Sequence, residues 1–477
     1  LNEIGTNFQQ QFSEIFPGLY DYNKKKRKNY DGSNDFFRYD LTTGDLDDFF
    51  AVFVPKLRVT PGARMVGNYN GATQNFEMKL LASQLNYDGM ILSGIDVNQS
   101  LTNDQLNADY HFNTFRYNDS LSIEDVSFKS SGNGTNLLSK LGWNPATENE
   151  TQIQWRTNFV SSSKIIFDLE PSYFSLNEKR WDVSNKARIS LDSSDLEVVD
   201  FRLSRNEQFI AVNGHVSKND NEKLKFELNE VDLEELSVLV GMSTELSGKL
   251  NGWGYITNPY TNLSYMGDLN ILQLKVNNEE IGDVFILSEW DRKVNTVGLQ
   301  GELLYKGIQS FDFSGYYYAD KDTDNLDFNL LFDETNIAFT NAFLDPKVIS
   351  DVSGYVNGSL KVRGTPNRPI FDGQVELDNA SAKLAILGTS FYLNGKVKAD
   401  EDGFYIDNMP ISDVEGNTGL LIGSIYHSDY RDWNFDVFVN LEDDAKNKDI
   451  LQPWRPVPLQ KFLVMNTSYK EGELYYG

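Results

Sequence analysis

Apolar side chains fall at every second position along much of this chain. Val375 and Leu377, Leu384 and Ile386, and Phe391 and Leu393 alternate with polar residues, as do Phe404 and Ile406, then Phe435, Val437, Val439 and Leu441. An earlier stretch keeps one face persistently apolar through Leu269, Ile271, Leu274, Val276, Val284, Ile286, Phe311 and Phe313. A period of two is the signature of a half-buried strand. Asp372-Gly373, Asn394-Gly395, Asp402-Gly403 and Glu415-Gly416 punctuate the runs and read as tight turns, because Asn-Gly and Asp-Gly supply the positive φ of two-residue hairpins. Tight hairpins imply antiparallel neighbours, since parallel pairing needs long crossovers. The expected fold is all-β: an elongated, mostly antiparallel repeat sheet. At about 12–15 residues per strand and turn the chain holds about thirty to thirty-five strands, which stacked at about 4.8 Å span roughly 150 Å.

The pattern recurs. Gly248-Lys-Leu-Asn-Gly252 matches Gly354-Tyr-Val-Asn-Gly358 at an offset of 106, and Gly267 matches Gly373 and Gly282 matches Gly388 at the same offset. Phe328 and Phe435 sit 107 apart in similar alternating runs. A fixed period marks units that bury their faces against the next. The expected divisions are an irregular or helical entry segment at 1–45, an early β segment at 46–150, a middle one at 151–247, and two repeats at 248–353 and 354–477. Within the entry segment Asn7–Phe16 reads as a short helix and Asn23–Asn34 as a loop, and the alternation starts with Phe49, Phe50, Val52 and Val54. Asp109–Trp155 is the least regular region, with loops expected at Ser130–Thr135 and Asn144–Glu150. Asp232–Leu239 is the clearest helix, capped by Asp232, with Leu233, Leu236 and Leu239 on one face. Thr340–Leu344 is its expected counterpart, so a short capping helix precedes each glycine-rich repeat entry.

Composition narrows the chemistry. The chain of 477 residues is 40% hydrophobic and 13% aromatic, enough for an ordered core. It carries 43 Lys and Arg against 70 Asp and Glu, a formal charge of −27. That disfavours nucleic acid and direct attachment to an anionic bilayer, both of which need clustered cations. The basic run Lys24–Lys28 reads as a solvated loop. With no cysteine there are no disulfides and no thiolate metal sites. No stretch reaches the eighteen or so apolar residues of a membrane helix. Because the chain opens on Leu1 and stops within an apparent strand, Glu473–Gly477, it is read as a segment of a longer protein.

Candidate catalytic chemistry is sparse. The three histidines, His111, His215 and His427, show no metal-ligand or triad spacing. Asp320–Asn325 imitates the start of a calcium loop, yet Asn325 stands at the glycine position and Leu331 at the glutamate position. No phosphate-binding glycine loop occurs. Carboxylates are plentiful, but no pair is singled out for glycoside hydrolysis. The expectation is therefore no enzyme, no catalytic residue, no metal and no cofactor.

The apolar face has two readings. It can be the interior of a sandwich or β-helix, or a curled sheet whose apolar face lines an open groove. A sixteen-carbon acyl chain left in water costs roughly 12 kcal/mol at about 0.8 kcal/mol per methylene, and a continuous apolar trough removes that cost without catalysis.

The segment Gly354–Gly477 resembles the C-terminal domain of the TamB (translocation and assembly module) family, part of the AsmA-like group. The resemblance rests on Val362-Arg-Gly-Thr-Pro-Asn-Arg-Pro369, Phe371-Asp-Gly-Gln-Val-Glu-Leu-Asp-Asn-Ala380 and Ile411-Ser-Asp-Val-Glu-Gly-Asn-Thr-Gly419. It continues through Gly423–His427 with Trp433-Asn-Phe, Met465-Asn-Thr and Leu474–Gly477, about a quarter of the chain. Trp181–Val276 matches more loosely, and the insert Asp443–Leu459 departs from the pattern. The resemblance implies a periplasmic protein of a diderm bacterium, held at the inner membrane by an N-terminal anchor and reaching the outer membrane. It implies a taco-like β-groove, movement of phospholipid by its acyl chains, and an Omp85-class barrel partner. The groove candidates are the seventeen alternating residues Leu269, Ile271, Leu274, Val276, Val284, Ile286, Phe311, Phe313, Val375, Leu377, Leu384, Ile386, Phe391, Leu393, Phe435, Val437 and Val439. The alternatives are a scaffold for outer-membrane protein insertion, and a periplasmic or surface β-helix that binds or cleaves polysaccharide.

Overall fold

The computed structural model describes residues 36–45, 56–73, 75–117, 121–133, 135–161, 163–239, 245–318, 320–321, 323–344, 346–366, 368–385, 388–428, 432–441, 462–470 and 473–476. The expected helix Asn7–Phe16, the loop Asn23–Asn34, the run Phe49–Val54 and Ile386 lie outside them. Thirty strands, one short α-helix and one 3-10 helix make up the described secondary structure. The fold is all-β, and every described strand register is antiparallel. The chain divides into two units, residues 1–231 with 255–263, and residues 232–254 with 264–477.

In the first unit a meander runs β1 (Phe36–Thr42), β3 (Arg64–Asn70), β4 (Asn75–Tyr87), β5 (Met90–Thr102), β6 (Gln105–Tyr117), β7 (Leu121–Asn133), β8 (Asn136–Trp143) and β9 (Thr151–Phe159), with the short β2 (Leu57–Val59) paired to the far end of β4. β1 forms within the segment expected to be irregular. Two-residue turns join the strands: Asp88 and Gly89 have φ of 50° and 82°, Asn103 and Asp104 52° and 61°. Two positive φ values give the turn twist that matches the strands. Past β9 the sheet forks. β10 (Lys164–Leu169) and β13 (Arg188–Asp192) occupy one half of the gap before β14 (Asp195–Arg205), and the hairpin β11 (Ser172–Leu176) to β12 (Lys179–Val183) occupies the other. β15 (Gln208–Val216) and β16 (Leu224–Asp232) follow.

Asn144–Glu150 forms the loop expected there, joining β8 to β9, while the other described residues of Asp109–Trp155 are almost all strand, which corrects the loop expected from Ser130. Ser130 to Asn133 belongs to β7, and pairing continues from Trp143 to Thr151. Polar and glycine positions hid the alternation. Ser130 and Ser139 face each other and share a 2.9 Å hydrogen bond between buried hydroxyls. Gly132 is glycine because an added Cβ would lie 2.0 Å from the Asn136 carbonyl oxygen.

The second unit begins with α1 (Leu233–Leu239), as expected, and β17 (Leu246–Thr257). β18 (Ser264–Val276), β19 (Glu279–Asp291), β20 (Thr296–Tyr305), β21 (Ile308–Tyr317) and β22 (Leu326–Asn336) follow. The 3-10 helix Ile337–Phe343 comes next, then β23 (Ile349–Thr365), β24 (Arg368–Leu384), β25 (Thr389–Ala399), β26 (Gly403–Asp413), β27 (Thr418–Ser428) and β28 (Asp432–Leu441). β29 (Phe462–Lys470) and β30 (Glu473–Tyr476) end it. The internal period is thus a short helix and six strands, twice over. Gly252 and Gly358 keep equivalent places, with φ of 141° and 128°, where an added Cβ would strike Leu269 and Val375 of the next strand. Gly282 and Gly388 do not: the first lies in β19, the second in a turn closed onto the Leu384 carbonyl.

Two expected turns are strand interior. Asp372-Gly373 lies within β24 and Asn394-Gly395 within β25, opposite Leu360 and Leu377. Both glycines have large positive φ, 148° and 142°, so they bend the strand rather than reverse it. Glu415-Gly416 does fall in a turn.

Within each unit, every substantial contact between described strands joins lateral neighbours; the 3-10 helix alone is laid against other strands of the sheet. Neither unit is a face-to-face sandwich. Burial is instead local: Leu101, Leu106, Leu137 and Phe159 in the first unit, and two clusters in the second.

Candidate ligand-binding surface

Antiparallel partners point to the same side of a sheet, so the register sorts every strand residue onto one of two faces. In the second unit one row crosses twelve strands without a charge or hydrogen-bonding side chain. It runs Ile271–Val284–Leu303–Phe311–Phe332–Gly358–Val375–Val397–Ile406–Gly423–Val437–Met465, one residue per strand from β18 to β29. The adjoining row, Leu269–Ile286–Gly301–Phe313–Leu330–Leu360–Gly373–Ala399–Phe404–Ile425–Phe435, is as uncharged. A row on the opposite face reads Asn270–Phe285–Glu302–Asp312–Leu331–Ser359–Gln374–Lys398–Tyr405–Ser424–Asp436.

Exposure follows the same division. Val375, Leu377, Phe391, Leu393 and Val397 are half-buried, while Gln374, Glu376, Asp378, Tyr392, Asn394, Lys396 and Lys398 are exposed. Half-burial without a covering layer arises because large side chains lean over glycine gaps in the next strand. Gly301 shows the mechanism: a Cβ there would meet the Phe313 ring at 2.5 Å and the Phe285 carbonyl at 2.2 Å. The ring fills the missing side chain's place, and the strands come closer than any other residue permits.

The groove candidates share this face. Leu269, Ile271, Val284, Ile286, Phe311, Phe313, Val375 and Val437 stand in the two rows; Leu274, Leu377, Leu384, Phe391 and Leu393 flank them opposite Gly282, Gly395, Thr389, Ala382 and Ala380. Phe435, Val439 and Met465 occupy this face by register, but their side chains lie outside the description. Val276 is different. It is 7% exposed, packed with Ile281, Leu303 and Ala342 under the 3-10 helix. Leu274, Val284, Phe311 and Phe339 border that cluster. The helix therefore closes this end of the face, and Val276 belongs to a packed cap rather than an open lining. Asn341 fastens the cap: its Nδ2 donates to the Val352 carbonyl and its Oδ1 accepts from the Val352 amide, both at 2.9 Å. A second filled patch surrounds Met409, 1% exposed, with Ile411 and Leu421; Leu377, Leu393 and Val397 pack against it.

Phe328, Leu330, Phe332, Leu360 and Val397 also belong to the face and were not singled out as lining residues. Their alternation was visible, but only register places them beside Phe313 and Val375. The first unit carries its own apolar row, Leu41–Met65–Leu80–Val97–Tyr110–Phe128–Leu141–Ile153. Tyr110 and Phe128 lie 5.5 Å apart between ring centres, and Phe128 and Trp155 6.2 Å. The Tyr110 hydroxyl donates to Gln99 Oε1 at 3.1 Å, and burial pushes its pKa up, so the phenol stays neutral.

Polar chemistry on the described strands is local. His111 contacts Asp125 at 2.6 Å, His215 contacts Glu222 at 3.3 Å, and His427 stacks near Phe404. Among the described residues, no three His, Asp or Glu side chains converge as metal ligands, and no helix is long and apolar enough to cross a membrane. No protein-family model, curated protein or solved structure matches the chain.

Proposed function

We propose that the protein is a non-enzymatic, lipid-conducting β-groove of the TamB, AsmA-like kind. It moves phospholipid between the inner and outer membranes of a diderm bacterium and so supports outer-membrane biogenesis. The uncharged row from Ile271 to Met465, one residue on each of twelve strands, carries this reading. An acyl chain lying along it gains about 0.8 kcal/mol per methylene removed from water, and no position on the row imposes the desolvation cost of a charge. The polar head group remains in solvent at the open side. Movement along such a surface needs no chemical step, because successive strands offer the chain apolar contact, with Leu303 as the position covered by the 3-10 helix.

The test uses photo-crosslinking residues at Val375 and Leu377 on the apolar face and at Gln374 and Glu376 on the other. Phospholipid adducts are expected at the first two alone. Equal labelling of all four positions refutes the proposal.

A further inference from the structure

The opposite, polar face of the second unit holds a cleft of about 480 Å³ that the lipid reading does not use. We propose that it binds an uncharged oligosaccharide. Its floor is made by an absent side chain. Gly298 stands between Glu289 of β19 and Tyr316 of β21, each its direct cross-strand partner. With no side chain at Gly298, one flank of the Tyr316 ring is open, and an added Cβ would sit 3.6 Å from it. The ring cannot swing into the gap, because the Tyr316 hydroxyl donates to Asp291 Oδ2 at 3.0 Å. A rigid aromatic shelf of this kind matches the apolar face of a pyranose.

The next row supplies the polar partners. Gln300, Ser314 and Asn329 follow one another across β20, β21 and β22, and all three are exposed. None of these three side chains, nor that of Glu289, has a hydrogen bond to another described residue, whereas Asp327 is engaged by Lys361 at 3.1 Å. Two amides, a hydroxyl and a carboxylate are thus free to donate to and accept from vicinal hydroxyl groups. The size falls at the lower end of small-molecule sites, which run from about 300 to 1,000 Å³. Charge selects against anions: Glu289, Asp291 and Asp327 line the cleft against one lining cation, Lys361, with Lys293 beside Asp291, so acids outnumber bases and a phosphate or uronate meets net repulsion. Because the cleft is open on one side, it accepts an internal stretch of a longer glycan as readily as an end.

Saturation-transfer NMR on the full chain tests this with chitotetraose and maltotetraose as uncharged probes and tetragalacturonate as the anionic one. Saturation transfer is expected to at least one neutral probe and not to the anion. Gly298→Val, whose Cβ makes only ordinary van der Waals contacts, and Asn329→Ala, at an exposed site, should each weaken binding about tenfold. Gln374→Ala, elsewhere on the same face, should leave it unchanged. No transfer to either neutral probe, undiminished binding in folded Gly298→Val and Asn329→Ala, or equal binding of the anion overturns the proposal. None of these outcomes bears on lipid capture at Val375 and Leu377.

Discussion

Replacing Leu377 by Asp puts a charge beside the two uncharged rows. Leu377 lies between Val356 and Gly395 on the neighbouring strands and packs against the patch around Met409. Losing a half-buried leucine costs the fold about 1 kcal/mol. Partly desolvating a carboxylate there adds about 1–3 kcal/mol. The sum stays below the roughly 5–15 kcal/mol of a typical domain, so the variant folds with a lower melting temperature. The effect on lipid is larger in kind. A carboxylate keeps its own water, and an acyl chain passing it loses apolar contact over roughly four methylenes, about 3 kcal/mol, or near 150-fold in affinity. Leu377→Ala separates the two effects: it costs comparable stability but introduces no charge, and lipid affinity should stay within about tenfold. Mass spectrometry of co-purified lipid, displacement of a fluorescent fatty acid and circular dichroism melts give the three readouts. If folded Leu377→Asp retains the lipid of the unmodified protein, the face does not carry acyl chains.

Two further outcomes follow from the geometry. Removing either hydroxyl of the buried Ser130–Ser139 pair strands the other, so each single alanine variant should lose about 1–2 kcal/mol, while the double variant should lose less than the sum; strict additivity in urea unfolding would show the bond to be inconsequential. Tyr405 has its pKa pushed from 10.0 up to about 12, first by desolvation and then by its hydrogen bond to Asp400. Its folded pKa exceeds the unfolded one, so its stabilising contribution is full below pH 10 and is lost as the pH rises through about 12. Tyr405→Phe should therefore flatten the loss of stability across that window, and an unchanged alkaline profile would remove Tyr405 as its source.

Much of this fold could be read from the chain itself. Alternation at Val375, Leu377, Phe391 and Leu393 declared both the strands and which side of them is apolar, because successive side chains on extended backbone point opposite ways. The pairing of helix and glycine-rich entry declared the repeat. The turns were misjudged where glycine serves two ends. Gly373 and Gly395 look like hairpin residues, yet they stand inside strands to let a neighbour approach, while Asn103-Asp104 and Asn277-Asn278 make true turns without glycine. Ser130, Gly132 and Ser139 broke the apolar rhythm and concealed two good strands.

What the sequence by itself determined is the division of each strand into a dry side and a wet side. Whether the dry sides meet was decided in three dimensions. Ile271 and Met465 belong to one row only because eleven successive registers, several shifted by bulges, bring one apolar residue per strand into line. Val276 is out of step with Ile271 in the sequence; a bulge between Ile271 and Leu274 brings both to one face, and the 3-10 helix folded over Val276 then turns lining into cap. Alternation is a property of neighbouring residues on one backbone. Register and coverage are properties of segments tens of residues apart, set by turn length, bulges and packing, which no local pattern encodes.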